Sequence, residues 1–549
     1  MTETEQRHSM SHSDLRVLSD LSIYNCLNFG PYEFIIYEDQ KKVAHPGDDE
    51  ARKYTNIQVA QEAAQLAGGL EALGIQKGDR IIVMMINSPE VLISYQGIAR
   101  AGGIIIPVLP LLKGPELRYI AENSGARAII TSSVLLPLLR HALVDLPNLQ
   151  HIISTGTIED EGQGHDKLPS YMVHAYKDVL AVGADLSASP PGVSPDDTAV
   201  ILYTSGTTGN PKGVVLTHRN LIANAVGSRG VDDAATRHGE VQLAILPLAH
   251  AYGLVATNVA YLAGVTIIMH PRFDTTAVFS AIERYRVNAF AAVPAMLVAL
   301  LYSPDADKYD TSSLQYCVSG SAPLPVAILE GFEQKFGCRI LEGYGLSEAS
   351  AVLTGHGLGM VQKPGSVGKP VAGVEVLVID ENDQPVPVGE VGEVIARGPN
   401  IMAGYYNMPD ETQSALRNGW LHTGDMGRFD EDGYLYIVER KKDLIIRGGF
   451  NIYPRDVEEV LNTHPSVIES AVVGIPSERM GEEVKAFIVT GANVTDPQKA
   501  QALAEDIKQY CRKSLANYKT PSEIEFIDNL PRNAIGKIDK KELRKRYVH

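Results

Sequence analysis

The sequence predicts an α/β protein with three parts: a large N-terminal region of βαβ-type subdomains, a small antiparallel, barrel-like subdomain, and a small mobile α+β C-terminal domain. Three observations carry this. Helix-like and strand-like stretches alternate through the first 400 residues, the pattern of βαβ units with largely parallel sheets. After about Pro364 the pattern turns to short alternating strands between Gly, Pro and Asp turns. Beyond Glu439 the charged run Arg440-Lys-Lys-Asp443 interrupts, and a separate α+β pattern begins. A boundary near 440 gives an N-terminal domain over residues 1–440 and a C-terminal domain over 441–549.

Each element follows from its local pattern. Residues 54–73 read as an amphipathic helix, with Ile57, Ala60, Ala63, Ala64 and Leu70 on one side. The turn Lys77-Gly78-Asp79 leads into an apolar run at 80–86, a buried strand. Residues 89–101 are again helical and 103–108 again a strand, and 288–293 and 316–319 continue the alternation. The antiparallel set comprises 374–379, 392–396 and 434–438. The C-terminal part predicts a helix after Pro454, strands at 471–475 and 484–489, and a long helix through Ile507.

The 549 residues suffice for about three or four folding units. With 44% hydrophobic and 21% charged residues, the chain is neither disordered nor fibrous. The formal net charge of −17 excludes nucleic acid and anionic lipid as bulk partners. Cys26, Cys317, Cys338 and Cys511 form no Cys-x-x-Cys pair, which argues against a disulfide framework or zinc ribbon. The polar, acidic N-terminus predicts no secretory signal. The greasiest stretch, 101–112, is broken by Pro107 and Pro110 and is too short to cross about 30 Å of hydrocarbon. A cytoplasmic protein without an integral membrane segment is expected.

The most informative segment runs from Ala199 through Tyr203-Thr-Ser-Gly-Thr-Thr-Gly-Asn-Pro-Lys-Gly213. An apolar strand enters a loop of hydroxyls and glycines with one lysine, Lys212. Glycines let backbone N–H groups approach an oxyanion, hydroxyls add donors, and the lysine adds charge. This is a cradle for polyphosphate. It is not a Walker A loop, because Gly209 is followed by Asn-Pro-Lys-Gly.

That loop resembles the signature of the adenylate-forming superfamily: acyl- and aryl-CoA synthetases, amino-acid adenylation domains and firefly-type luciferases. Further motifs of the family follow in order: Leu246-Pro-Leu-Ala-His250, Gly343-Tyr-Gly-Leu-Ser-Glu348, His422-Thr-Gly-Asp425, Glu439-Arg-Lys-Lys-Asp443 with Gly448-Gly449, and Pro531-Arg-Asn-Ala-Ile-Gly-Lys537. The resemblance spans nearly the whole chain. It implies an enzyme that joins a carboxylate to MgATP, giving acyl-adenylate and pyrophosphate, and then passes the acyl group to the thiol of CoA.

The resemblance implies roles residue by residue. Thr204, Ser205, Gly206, Thr207, Thr208 and Lys212 would hold the β- and γ-phosphates. Ser347 would contact the α-phosphate, and Glu348 would ligate Mg²⁺, a hard cation suited to carboxylate and phosphate oxygens. Tyr344 would pack on adenine, with Gly320, Ser321 and Ala322 in the same pocket, while Asp425 and Arg440 bind the ribose. Lys537 would bridge carboxylate and α-phosphate during adenylation. Lys442 matches the hinge about which the C-terminal domain turns, removing Lys537 and bringing Gly448 and Gly449 to the pantetheine channel. The other C-terminal cations (Arg532, Lys540, Lys541, Arg544, Lys545 and Arg546) read as a solvated helix face. His218 reads as a helix-start residue.

By the same resemblance, His250 lies where acyl pocket and pantetheine channel meet and gates or orients the acyl group. Acetate-specific members carry a Trp where this chain has Gly345, so a wall that closes the pocket is missing. Amino-acid adenylation domains pair the substrate's ammonium with an Asp near residues 249–254, and no acid stands there; burying an unpaired ammonium is costly. The expected lining is His250, Ala251, Val293, Ala295, Met296, Gly320, Gly345, Ala349 and Val352. It is apolar and mostly small, which favours a medium or long fatty acid, or an alicyclic or aromatic acid. The rival readings are an acyl-AMP ligase that loads a carrier protein and a catalytically inactive nucleotide-binding regulator; a luciferase-like oxygenase has no positive support.

Overall fold

Two mixed sheets with parallel centres organise most of the chain. The computed structural model describes residues 9–39, 51–156, 171–184, 192–204, 211–229, 237–477, 479–491, 494, 496–532 and 537–546. Among them, a nine-stranded sheet has a parallel centre running Arg339–Tyr344, Tyr316–Ser319, Ala289–Ala292, Val241–Ala244, Thr266–Met269 and Glu33–Tyr37, with antiparallel strands at both edges. An eight-stranded sheet has a parallel centre that includes Thr198–Thr204, Ile104–Pro107, Arg80–Met84 and Ala128–Ser132.

The apolar pattern explains how the sheets stack. One core joins both sheets around the helices Asn56–Ala72 and Pro89–Arg100; residues 91–99 are all buried, as expected of a helix covered on every side. A second core covers the outer face of the nine-stranded sheet with Thr275–Tyr285 and Val326–Phe336. A third covers the outer face of the eight-stranded sheet with Gly114–Ser124 and Leu136–Ala142. The layers therefore run helix, sheet, helix, sheet, helix.

The strands Glu375–Ile379, Gly392–Arg397, Leu421–Phe429 and Leu435–Arg440 form a four-stranded, open and wholly antiparallel sheet in that order. A 3-10 turn, Lys441–Asp443, follows. From Ile445 onward a five-stranded sheet packs against the helices Pro454–Asn462 and Pro497–Ser514 around cores of its own. His218 opens the helix His218–Arg229, and its Nδ1 accepts a hydrogen bond from the backbone N–H of Leu18 at 3.0 Å.

One expectation is overturned here. The C-terminal cations are not uniformly a solvated face. Lys540 is largely buried and pairs with Glu458 at 2.9 Å and Glu439 at 3.6 Å. Arg544 pairs with Asp443 at 2.7 Å, and Arg532 pairs with Glu469. The acidic partners lie far away in sequence, so a local charge run gave no sign of them. Lys545, exposed and paired with its helix neighbour Glu542, fits the original expectation.

Candidate active site

The parallel strands of the nine-stranded sheet end at one edge, and there the signature segments collect, as ligand sites do in open α/β sheets. Tyr316–Ser319 runs into Gly320-Ser321-Ala322, Arg339–Tyr344 into Gly345 and the 3-10 turn Ser347–Ala349, and Ala289–Ala292 into Val293. Together with Lys212, Asp425, Arg440 and Lys537 these segments line one cavity of about 2010 Å³. Ser205, Gly206, Thr207 and Thr208 lie outside the described residues. Thr204 ends its strand opposite Lys212, and its hydroxyl donates to the Lys212 carbonyl at 3.5 Å.

A web of short polar contacts holds the cavity's polar side chains. Asp425 and Arg440 are cross-strand partners in the antiparallel sheet, and Arg440 Nε meets Asp425 Oδ1 at 2.6 Å. The Tyr344 hydroxyl donates to Asp425 Oδ2 at 2.5 Å. Burial, and then the Asp425 charge, hold that phenol far above its ordinary pKa, so it remains a donor. The Tyr405 hydroxyl donates to Glu348 Oε1 at 2.8 Å, and Lys212 Nζ stands 5.1 Å from the Tyr405 ring centre. A carboxylate has acceptor capacity beyond one such bond, so Glu348 can still ligate the magnesium that arrives with ATP.

Behind Glu348 the chain is strained. Ser350 and Ala351 have φ of 57° and 103°, a region that suits glycine far better. Two buried amides clamp this bend. Asn224 Nδ2 donates to the Val352 carbonyl at 2.7 Å, and Asn400 Nδ2 donates to the Ala349 and Val352 carbonyls at 3.1 and 3.0 Å. Gly345 packs against the same bend. A Cβ there would sit 2.0 Å from the Ala351 carbonyl oxygen. Gly345 lines the cavity, but close backbone approach is what requires glycine, and a Trp would collide with main chain before it reached the pocket.

His250 is the N-cap of the helix Ala251–Ala263, its Nδ1 accepting from the Tyr252 backbone N–H at 3.3 Å. Burial first, and then the charge of Lys537, push its pKa down to about 4. The ring is therefore neutral, and with Nδ1 accepting, the proton sits on Nε2. The segment before it is pinned: Asn87 Nδ2 donates to the Leu246 carbonyl at 2.8 Å, and the Tyr95 hydroxyl donates to the Leu248 carbonyl at 3.2 Å.

Lys537 enters the cavity from the C-terminal region. Burial pushes its pKa down to about 8, with Arg440 acting in the same direction and Asp425 and Glu348 opposing. Its ammonium thus faces a place where two carboxylates and a guanidinium converge. Lys442 is exposed in the 3-10 turn between the antiparallel sheet and the C-terminal sheet. Gly448 and Gly449 form the turn of the hairpin Ile445–Arg447 and Phe450–Ile452, with φ of 58° and 87°. In this orientation that turn does not line the cavity.

Of the residues expected to line an acyl pocket, His250, Ala251, Val293, Ala295, Gly320, Gly345 and Val352 line this cavity. Met296 and Ala349 do not line it: Met296 packs on the outer core of the nine-stranded sheet, and Ala349 is buried in the central core. Sequence reasoning missed Tyr405 and Glu342. Glu342, buried beneath Gly343, has no partner for its Oε1 among the described residues. Burial raises its pKa to about 7, against the pull of Arg455 from the helix Pro454–Asn462. Its only signal was an acid inside an otherwise apolar strand, Arg339-Ile-Leu-Glu342.

With this geometry in view, comparison with known proteins gives the family. Residues 35–406 match the AMP-binding enzyme family and residues 456–537 its C-terminal domain. A long-chain-fatty-acid–CoA ligase of Bacillus subtilis (strain 168) is 38% identical over 510 residues, covering 90% of each chain. A feruloyl-CoA synthase of an Amycolatopsis species is 35% identical over 90% of this chain and 94% of its own. An anthranilate CoA ligase crystallised with anthranoyl-AMP superposes with a TM-score of 0.86 at 29% identity, covering 98% of this chain and 99% of that one. The chain belongs to the AMP-binding enzymes, as an adenylate-forming acid–thiol ligase of the acyl-CoA synthetase class. Enzymes of this class use ATP, Mg²⁺ and CoA. Among the described residues no helix is long and apolar enough to cross a membrane.

Proposed function

We propose that this enzyme activates a carboxylic acid with an extended apolar body, a fatty acid or an aromatic or alicyclic acid, and transfers it to CoA in the cytoplasm. The observation that carries the reading is the convergence of Lys537 with Glu348, Asp425 and Arg440 in one cavity, with an apolar channel leading away from it. Attack of a carboxylate on the α-phosphate brings two anions together, so positive charge must be supplied and aligned. Lys537 supplies it between carboxylate and α-phosphate. Lys212 and Thr204, with the loop that follows, hold the outer phosphates. Glu348 ligates the substrate's magnesium, Tyr344 packs on adenine beside Gly320, Ser321 and Ala322, and Ser347 contacts the α-phosphate. The ribose hydroxyls bind Asp425 and Arg440.

The neutral Nε2–H of His250 donates toward the acyl carboxyl, and its position at the helix start fixes that direction. After adenylation the domain beyond the turn at Lys442 rotates. Lys537 leaves, and Gly448 and Gly449 form a wall narrow enough to admit pantetheine. The thiol then displaces AMP. A pyrophosphate-release screen across fatty, alicyclic and aromatic acids, with and without CoA, tests the reading. Release of pyrophosphate and CoA-dependent AMP formation are expected. Silence across the whole panel overturns it.

A further inference from the structure

Two opposite charges reach the cavity from different sheets. Glu348 follows Arg339–Tyr344 of the nine-stranded sheet, in the 3-10 turn Ser347–Ala349. Lys212 opens the strand Lys212–Thr217 of the eight-stranded sheet. Both line the same cavity. Each has a task on MgATP, the lysine on phosphate and the carboxylate on the metal. An ion pair between them would satisfy each with the other, and it would have to break before either met the nucleotide. In this structure both are engaged with Tyr405 instead. Lys212 Nζ stands 5.1 Å from the ring centre, and the hydroxyl donates to Glu348 Oε1 at 2.8 Å.

The backbone around Tyr405 is stitched to both sheets. The Met402 N–H donates to the Glu348 carbonyl at 2.8 Å, and the Ala403 N–H donates to the Val215 carbonyl at 2.9 Å. The short strand Gly404–Tyr405 then pairs antiparallel with the strand of Lys212, placing Tyr405 opposite Val214. Cross-strand partners share a face of the sheet, as do residues two apart on one strand, so Tyr405 lies diagonally beside Lys212. From the helix Pro409–Ala415, Thr412 Oγ1 accepts the Tyr405 N–H at 2.8 Å and anchors the residue. Ring and hydroxyl act differently. The ring attracts the ammonium without an acceptor oxygen, so the three N–H donors of Lys212 stay available to phosphate. The hydroxyl uses one acceptor position of Glu348 and orients the rest, as the outer partners of metal ligands do.

We propose that Tyr405 is a positioning residue that keeps the phosphate-binding lysine and the magnesium-binding carboxylate apart and aimed, so that MgATP meets two charges that have not neutralised each other. This rests on the roles given above to Lys212 and Glu348.

The test is equilibrium binding of ATP, followed by titration calorimetry over a series of Mg²⁺ concentrations with no acid present. With Lys212 in place, Tyr405→Leu should bind MgATP about fivefold more weakly than Tyr405→Phe, because without the ring Lys212 falls onto Glu348 and that ion pair must then be broken. In a Lys212→Ala background the two substitutions should be indistinguishable, since no cation remains to fall. Tyr405→Phe alone keeps the ring and loses the hydroxyl, and the Mg²⁺ concentration that half-saturates binding should rise about tenfold. Thermal melts report whether each variant is folded; should Tyr405→Leu fail to fold, the Mg²⁺ dependence of Tyr405→Phe still decides. Equal affinity of the Leu and Phe variants with Lys212 present, the same gap in both backgrounds, or an unshifted Mg²⁺ dependence in Tyr405→Phe overturns the positioning role and leaves the synthetase reading standing. If Lys212→Ala by itself leaves MgATP binding unchanged, the phosphate role of Lys212 fails, and the role of Tyr405 with it.

Discussion

The two halves of the active site are held in opposite ways. On one side, Asp425 is tied to Arg440 and Tyr344, and Glu348 to Tyr405, by contacts of 2.5–2.8 Å within the large region. On the other, Lys537 belongs to a region whose apolar clusters begin at Ile445 and share no residue with those before it, among the described residues. What joins the halves is polar and gathered near the hinge. Arg455 Nη1 donates to the Ile437 carbonyl at 2.5 Å, its backbone N–H donates to Glu439 at 3.2 Å, and Lys540 pairs with Glu439 at 3.6 Å. Water can replace such contacts as they break, whereas a shared core could not be opened without exposing apolar surface. That difference is what the proposed rotation of the lysine-bearing half requires.

The sharpest way to break this comparison is Lys537→Ala. Adenylation should fall by about a hundredfold or more if one preorganised donor is lost, while thioester formation from presynthesised acyl-adenylate and CoA continues. Single-turnover assays of each half-reaction decide it, and equal loss in both steps would sink the two-orientation mechanism. Gly449→Leu should give the mirror image, with adenylate accumulating because CoA transfer stalls. A Cβ at 449 meets nothing within 4 Å in the present orientation, so adenylation should survive the change. If adenylation fails instead, the turn matters in the wrong half-reaction.

Smaller effects sharpen the picture. With the pKa of Lys537 pushed down to about 8, kcat/KM for ATP in the adenylation step should decline as pH rises through that value, because the ammonium is the working form. Lys537→Ala should lose that limb of the profile. Lys212→Ala removes one cation from the phosphate side and should cost about tenfold in adenylation; unchanged KM and turnover would remove Lys212 from the site. The smallest effect belongs to Glu342. Its folded pKa is raised to about 7, so the folded state keeps a proton that the unfolded chain gives up nearer its ordinary value of 4.5. Stability should therefore fall as pH climbs between those values. In Glu342→Gln that slope should flatten, as thermal melts at pH 5 and pH 7.5 will show.

The elements that were legible in the sequence are those whose evidence is contiguous. The helix Asn56–Ala72 and the strands Arg80–Met84 and Tyr316–Ser319 stand where the periodicity puts them, and the signature segments line one cavity because each is a short run at a strand end. The rest depended on contacts across the chain. Lys540 looked solvated until Glu458 came to meet it, and Asn224 and Asn400 hold the strained bend from 125 and 51 residues away. Met296 was misplaced by helix phase: one residue from Ala295, it points into a different core. His250 was visible as a motif residue, but its tautomer became readable only once Nδ1 was seen capping a helix.

The close approach of Gly345 to Ala351 has a practical corollary for redesign. Since any side chain at 345 meets backbone first, that position is a poor dial for acyl length. Ala289 and Ala291 are better ones. They stand on a rigid central strand and line the channel, so stepwise enlargement to Val or Leu should shorten the accepted acid in graded increments while leaving the nucleotide side untouched.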